Sequence, residues 1–116
     1  MNLLTLSVLA AIVMAFASLG ARADDTIILS QAELGKLFPG SFQAVVSGAV
    51  TVKITARGNG TLVGQMTGQE DRGWWSVKSG KLCIAWTTWL NGKTTCSRVI
   101  ADDGWYRGNG VKFRKI

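Results

Sequence analysis

Apolar and polar residues alternate with a period of two along most of this chain, and turn residues interrupt the alternation at intervals of roughly 8 to 12 residues. In the clearest run, from Val50 to Arg57, four apolar residues alternate with four polar ones. Such alternation is typical of strands with one buried face, and the short intervals leave no room for the crossovers that parallel strands need. We therefore predict a mainly β fold, a small antiparallel meander of about eight strands that closes into a barrel or tight sandwich.

A single short helix is predicted before these strands. Ser30 and Glu33 have the spacing of a capping box, and Pro39-Gly40 ends the segment. The apolar residues between them that fall on one helical face are Leu34, Leu37 and Phe38. A helix this short is stable only when its apolar face is docked, so we expect residues 30–38 to plug or cap the barrel.

The N terminus has the pattern of an export signal. Leu3 to Leu19 form an almost unbroken apolar run, and the following Ala21-Arg22-Ala23 has the small residues that signal peptidase prefers. A membrane-spanning anchor is the alternative, but a span needs roughly 20 apolar residues and usually has basic flanks. We predict a signal peptide over residues 1–23, a single β-rich domain over residues 24–116 and no transmembrane anchor after cleavage. The expected location is periplasmic or secreted.

The two cysteines, Cys83 and Cys96, fall in the exported part, where an oxidising compartment favours a disulfide bond. A two-residue hairpin at Asn91-Gly92 would put them about 13 Å out of register at 3.3 Å per residue. A disulfide bond tolerates Cα separations only below roughly 7 Å. We therefore predict that the cysteines are directly opposed and bonded, and that residues 87–92 form a longer loop with Trp89 at its tip.

The chain has no histidine, which excludes Ser-His and Cys-His nucleophile pairs and imidazole ligands for zinc. Most carboxylates occur as adjacent pairs, which point apart on a strand or turn, whereas acid/base catalysis needs two carboxyls across a cleft. Asp102-Asp103-Gly104 lacks the alternating aspartates of a calcium loop and is typical of a plain turn. We expect a protein that is not an enzyme and that holds no cofactor and no metal ion.

The predicted mature chain is basic. Without Arg22, residues 24–116 contain 12 basic and 7 acidic side chains, a net charge of +5. An exported protein with this charge meets lipid headgroups, acidic glycans or acidic protein surfaces. The same charge also suits solubility alone. The expected partners are therefore an anionic envelope lipid or glycan, or a protein, and not nucleic acid.

Tryptophan and tyrosine are more numerous than one small core requires, with five and one respectively. Alternation places Trp75 and Trp86 beside apolar neighbours, inside the fold. The remaining aromatic residues lie beside polar or basic residues, or near a loop, so they suit ligand binding or packing at the barrel mouth. The candidate ligand-binding residues are Trp74, Lys78, Trp89, Trp105, Tyr106 and Arg107.

A basic stripe is also predicted on the outside of the fold. Lys53 and Arg57 project from the polar face of one strand, and Lys112 and Arg114 project from that of the last strand. If these strands are neighbours, the four cations form one stripe that attracts anionic material, with a strength that falls as salt is added. The alternative is an ordinary solvated face.

Several segments of the sequence carry a family likeness: Leu29–Leu34, Phe38–Gly40, Gly73–Val77, Lys81–Cys83, Cys96–Val99 and Tyr106. Together they resemble a family of small exported bacterial proteins known only as a domain of unknown function. The likeness covers nearly all of residues 24–116. It implies an envelope protein with a paired cysteine and no established catalytic residues. The small-barrel outline is also similar to bacterial periplasmic inhibitors of proteases and lysozymes.

Two functional hypotheses follow. The first is an exported, non-enzymatic binding module for an anionic or glycan component of the bacterial envelope, supported by the net charge and the surplus tryptophans. The second is a protein-binding module or an inhibitor of a periplasmic or host hydrolase. This second hypothesis is supported by a disulfide-pinned barrel with a projecting loop.

Expression of the 116-residue chain in bacterial cells should yield a periplasmic protein that begins at Asp24, because signal peptidase cuts after a small-x-small motif. Intact-mass spectrometry of the periplasmic fraction measures the N terminus directly. Ala23→Arg should leave the leader attached. A membrane-bound product that retains Met1 would contradict the prediction.

Overall fold

The computed structural model of the protein describes residues 27–46 and 50–116, so the predicted signal peptide and its cleavage site lie outside the described residues. One helix, α1, spans Gln31–Leu37. The strands are β1 (Ile27–Ile28), β2 (Gly40–Val46), β3 (Val50–Ala56), β4 (Thr61–Met66), β5 (Gln69–Lys78), β6 (Lys81–Trp86), β7 (Thr94–Ser97), β8 (Ile100–Asp102), β9 (Trp105–Gly108) and β10 (Val111–Lys115).

The strands form one antiparallel sheet in the order β1-β8-β9-β10-β2-β3-β4-β5-β6-β7, and this sheet curls into a half-barrel. The predicted mainly β, antiparallel architecture is confirmed. The structure has more strands than predicted for two reasons. The extended stretch at Ile27–Ile28 pairs with β8. In addition, the alternation predicts a single strand that follows Cys96 and runs through Val99, but this strand is interrupted at Arg98 and Val99, which separates β7 from β8.

Hydrogen bonds from the β9–β10 turn connect it to the far side of the curled sheet. At β1, the Leu29 amide donates to the Val99 carbonyl at 2.9 Å, which extends the β1–β8 pairing by one residue. In the β9–β10 turn, the Asn109 amide donates to Ser97 Oγ at 2.7 Å and its Nδ2 donates to the Leu82 carbonyl at 3.2 Å. These contacts partly satisfy polar groups that an open sheet would leave unpaired at its edges.

Three hairpins have the two-residue turns that their sequences predict. The central residues are Ser79-Gly80, Asp103-Gly104 and Asn109-Gly110, and all six have positive φ. This geometry is that of a type I′ turn, whose twist matches the twist of the flanking strands. Each turn fixes the register of its hairpin, and the last one sets Arg107 opposite Lys112.

The concave inner face of the sheet carries the core, and its convex outer face carries most of the polar residues. The buried strand residues on the inner face include Phe42, Ala44, Val52, Leu62, Leu82, Trp86 and Phe113. Direct partners in the ladders share a face, as Phe113, Ala44 and Val52 do across three strands. The inner and outer positions therefore follow the predicted alternation.

Helix α1 covers this inner face, as predicted. Its N terminus has the predicted capping box, with Ser30 Oγ accepting from the Glu33 amide and the Glu33 carboxylate accepting from the Ser30 amide. Leu34 is fully buried, and Phe38 stacks on Phe42 with 4.7 Å between ring centroids. Gln31 attaches the helix to the β5–β6 turn, because its Oε1 accepts from the Gly80 amide at 2.7 Å.

Cys83 and Cys96 form the predicted disulfide bond. They are direct partners in the β6–β7 ladder, with 4.1 Å between their Cα atoms. Asn91-Gly92 is accordingly not a two-residue hairpin, and residues 87–93 form the longer loop that the opposed cysteines require. The crosslink holds strand β7 to the rest of the sheet, because β6 is the strand with which β7 pairs.

Replacing both Cys83 and Cys96 by serine should lower the free energy of unfolding by about 3 kcal/mol, because the bond closes a loop with a sequence separation of 13. Chemical denaturation followed by circular dichroism measures this change. Dithiothreitol provides the control, since it should lower wild-type stability to that of the double variant and leave the variant unchanged. Equal stability of the two oxidised proteins would contradict the prediction.

Candidate functional site

Trp105 and two cations form a cluster on the outer face of the β9–β10 hairpin. Lys112 Nζ lies 4.8 Å and the Arg114 guanidinium carbon 4.9 Å from the centroid of the Trp105 ring. The strand register accounts for these short distances, because pairing Arg107 with Lys112 brings Trp105 level with Arg114. Each cation–π contact at an exposed site is worth about 0.5–1 kcal/mol. Trp105, Lys112 and Arg114 are called the Trp105 cluster below.

Strand β2 extends the Trp105 cluster across the sheet. Gln43 is the partner of Arg114, and its Oε1 accepts from Arg114 Nε at 3.2 Å and from Nη2 at 3.0 Å. The guanidinium is therefore held by both an indole ring and an amide oxygen. Lys53 is the next partner in the same row, opposite Gln43 on β3.

The predicted basic stripe is present in part. Lys53, Lys112 and Arg114 all lie on the outer face, although their strands are not direct neighbours because β2 lies between β10 and β3. Arg57 lies beyond the end of β3 in the turn that follows, so it is outside this row. Its backbone carbonyl accepts a 2.8 Å hydrogen bond from Trp75 Nε1.

Arg107 lies beside the Trp105 cluster and is paired with an acid. Its Nη2 is 3.2 Å from Asp102 Oδ2, and both side chains are more than half exposed. An exposed pair of this kind contributes about 0–1 kcal/mol. Tyr106, the residue between Trp105 and Arg107, faces the other side and packs on Phe113 with 5.5 Å between centroids. Tyr106 is therefore on the inner face and is not brought together with Trp105.

Trp74 and Lys78 lie on the outer face of β5. The Trp74 side chain is 63% exposed, and its ladder partners are Thr61 and Ala85. Lys78 is at the end of the same strand, opposite Lys81. Strands β2, β3 and β4 separate β5 from β10 in the sheet order, so these two residues are not part of the Trp105 cluster.

Trp89 does not project from the tip of its loop as predicted. Its indole turns inward, packs on Trp86 with 4.9 Å between centroids and lies directly over Gly64, where any side chain would collide with it. Leu90 takes the exposed position at the tip, with 56% of its surface accessible and a φ of 55°. The predicted interior positions of Trp75 and Trp86 are confirmed, since Trp86 is buried and Trp75 packs against Phe38.

Asp71 explains why Trp89 turns inward. This buried residue lies on the inner face of β5, and its Oδ2 accepts from the Thr88 amide at 3.0 Å and from the Trp89 amide at 2.8 Å. Burial by itself raises the pKa of the Asp71 carboxyl, but hydrogen bonds from the Trp89, Thr88 and Arg72 amides outweigh it and hold the pKa below its ordinary value. The ionised carboxylate thus fastens the loop to the sheet.

Gln43 and Asp71 were not among the sequence-based candidates. Gln43 occurs at a polar position of its strand, but its contact with Arg114 depends on the pairing of β10 with β2, 71 residues apart. Asp71 lies in the segment Gln69–Arg72, which consists of four polar or charged residues and therefore lacks the apolar alternation that predicts a strand. Gly64, in the middle of a strand, was the available signal of a close packing contact.

Comparisons with known proteins add no relatives: no family model matches this chain, and neither a curated protein nor a solved structure is significantly similar to it.

Within residues 27–46 and 50–116, no three Cys, Asp or Glu side chains are grouped so that they could hold a metal ion. None of the helices in the same residues is long and apolar enough to cross a membrane.

Asp71→Asn should lower the melting temperature, because a neutral amide replaces a carboxylate that accepts two backbone hydrogen bonds. The lowered pKa also predicts the pH dependence. The stability contributed by the ionised carboxylate is present above its ordinary pKa and is lost as the pH falls through the lowered one. The wild-type melting temperature should therefore fall more steeply over this acidic range than that of the variant.

Thermal unfolding followed by circular dichroism at a series of acidic pH values measures the difference. Asp103→Asn is the matched control, since Asp103 lies exposed in the β8–β9 turn with a positive φ that asparagine tolerates. The same acid dependence in the wild type and in Asp71→Asn would show that the carboxylate does not hold the loop.

Proposed function

We propose that this protein is an exported, non-enzymatic module that binds an anionic component of the bacterial envelope through the Trp105 cluster. The observation that carries the proposal is the pair of cations within 5 Å of one indole on an exposed sheet face. Neither Lys112 nor Arg114 forms a salt bridge with any of the residues that the structure describes. Their charges are therefore oriented but not neutralised, which is what an anionic ligand requires.

The same contact favours an anion over a neutral sugar. Sugar rings bind tryptophan by stacking on the face of the indole, and two cations already lie over the ring of Trp105. The indole thus serves to position positive charge. The net charge of +5 over residues 24–116 would add long-range attraction toward the same ligands.

The positions of the acids support a binding role over a catalytic one. Each acid among residues 27–46 and 50–116 has a structural partner or lies in a turn: Glu33 in the helix cap, Glu70 near Arg72 and Gln65, Asp71 on the loop amides, and Asp102 on Arg107. Asp103 occupies the β8–β9 turn. This arrangement offers no pair of carboxyls across a cleft among the described residues, and the chain has no histidine. The disulfide bond supports a periplasmic or secreted location.

Vesicle binding tests the proposal. The protein, purified from the periplasmic fraction, should bind vesicles of phosphatidylcholine mixed with phosphatidylglycerol, and should bind pure phosphatidylcholine vesicles weakly. Binding should fall as salt is added, because exposed charges are screened beyond about 10 Å at 0.1 M salt. Lys112→Gln and Arg114→Gln should each weaken binding about fivefold, since a basic residue near an anionic surface contributes about 1 kcal/mol.

Lys78→Gln is the control with the same change in charge, on a strand that is not next to the cluster. It should retain most of the wild-type binding. Co-sedimentation across a salt series measures the vesicle binding of the wild type and the three variants. Lipopolysaccharide and peptidoglycan fragments serve as further ligands. Absence of salt-sensitive binding to every anionic ligand would overturn the proposal, as would equal losses in Lys78→Gln and Lys112→Gln.

A further inference from the structure

A groove of about 630 Å³ opens beside the Trp105 cluster, at the end of the β9–β10 hairpin. Its walls include the turn residues Gly108–Gly110 and the side chains of Val45, Ile100, Arg107 and Lys112. Small-molecule sites typically have volumes of roughly 300–1,000 Å³. The groove shares Lys112 with the Trp105 cluster, so a single ligand can contact both.

The wall of the groove is largely aliphatic. Ile28, Ile100, Arg107, Lys112 and Val45 are successive partners in the strand ladders, so they form one row on the outer face with apolar residues on either side of two cations. Ile28, at the outer end of the row, is 53% exposed. Ile28 and Ile100 are direct ladder partners, so the apolar surface at this end of the row is contiguous and not a single scattered side chain.

The charged groups of the row point toward the Trp105 cluster rather than into the groove. Lys112 Nζ lies over the Trp105 ring, and Arg107 Nη2 reaches Asp102. Their methylene stems are left to line the groove, as long basic side chains commonly do on apolar surfaces. Arg98 also borders the groove, and its guanidinium approaches Gly80 in the β5–β6 turn.

We propose that the groove holds the acyl chain of an anionic lipid whose headgroup binds the Trp105 cluster. This inference rests on the proposed function and names its ligand class as a lipid, in contrast to a free phosphate or an anionic glycan. The charge complementarity and the aliphatic wall occur side by side, and an anionic lipid has the matching arrangement of headgroup and chain. The headgroup of such a ligand pairs with the charges of Lys112 and Arg114, and its acyl chain covers Val45 and Ile100.

A series of alkyl phosphates tests the inference, with inorganic phosphate as the probe without a chain. Affinity, measured by isothermal titration calorimetry below the critical micelle concentration, should increase from butyl to hexyl to octyl phosphate. The upper limit is about fourfold per added methylene, which corresponds to full burial of that group. Octyl glucoside has the chain without the charge and should bind more weakly than octyl phosphate.

Two variants locate the effect in the groove. Val45→Thr and Ile100→Thr keep a β-branched shape and should flatten the dependence on chain length while leaving the affinity for inorganic phosphate unchanged. Val50→Thr is the matched control, because Val50 lies on the neighbouring strand β3 at an inner-face position. It should behave as the wild type. Thermal unfolding verifies that each variant is folded, and the chain-length series on the wild-type protein stands independently of the variants.

The outcomes separate this inference from the function on which it rests. Equal affinity for inorganic and octyl phosphate, with salt-sensitive vesicle binding retained, would overturn the lipid-chain site and leave the proposed function standing. A chain-length dependence that is unchanged in both groove variants would overturn the location. Failure of the wild-type protein to bind any phosphate or anionic vesicle would overturn both proposals.

Discussion

The docking of helix α1 onto the concave face of the sheet is the interaction on which the rest of the structure depends. A half-barrel leaves one face uncovered, and the helix covers it with Leu34, Leu37 and Phe38. Phe38 packs on Phe42 and Trp75, which belong to strands well separated in the sheet. This contact buries the face on which alternation places the apolar residues of the strands. Lys112 and Arg114 are exposed and Trp105 is half-buried on the outer face, because their alternate neighbours, Tyr106 and Phe113, pack on the inner face.

Much of this fold could be predicted from local patterns. The capping box at Ser30 and Glu33 specified the helix, and three two-residue turns specified their hairpins. The disulfide bond could be placed because only opposed cysteines satisfy its geometry. The direction of the Trp89 side chain could not be predicted, because it depends on two residues in other strands. Asp71 lies in a segment without apolar alternation, and Gly64 leaves the space that the indole occupies. The candidate site was predicted only in part, since local alternation puts Trp105, Lys112 and Arg114 outside but cannot show that β2 separates β10 from β3.

Two regions of the sheet are held in different ways, and this difference bears on function. Around β6 and β7, a disulfide bond, a buried carboxylate and stacked indoles from Trp86 and Trp89 hold the loop and strands. On the outer face around β9 and β10, the side-chain contacts are the cation–π pairs, the hydrogen bonds between Gln43 and Arg114, and the exposed ion pair of Arg107 with Asp102. These weaker contacts orient charges without burying them. The first region supplies rigidity, and the second presents accessible groups to a ligand.

The position of β10 in the sheet has a consequence for how the molecule is made. This strand is the last of the ten to be synthesised, yet it lies between β9 and β2, and Phe113 pairs with Ala44 from near the start of the fold. Contacts of such long sequence separation form slowly, because the intervening chain must first be brought together. Until β10 emerges, the inner layer lacks Phe113 and the outer surface lacks both Lys112 and Arg114. Completion of the core and acquisition of the basic cluster are therefore one event, so a nascent or truncated chain lacks the proposed binding surface.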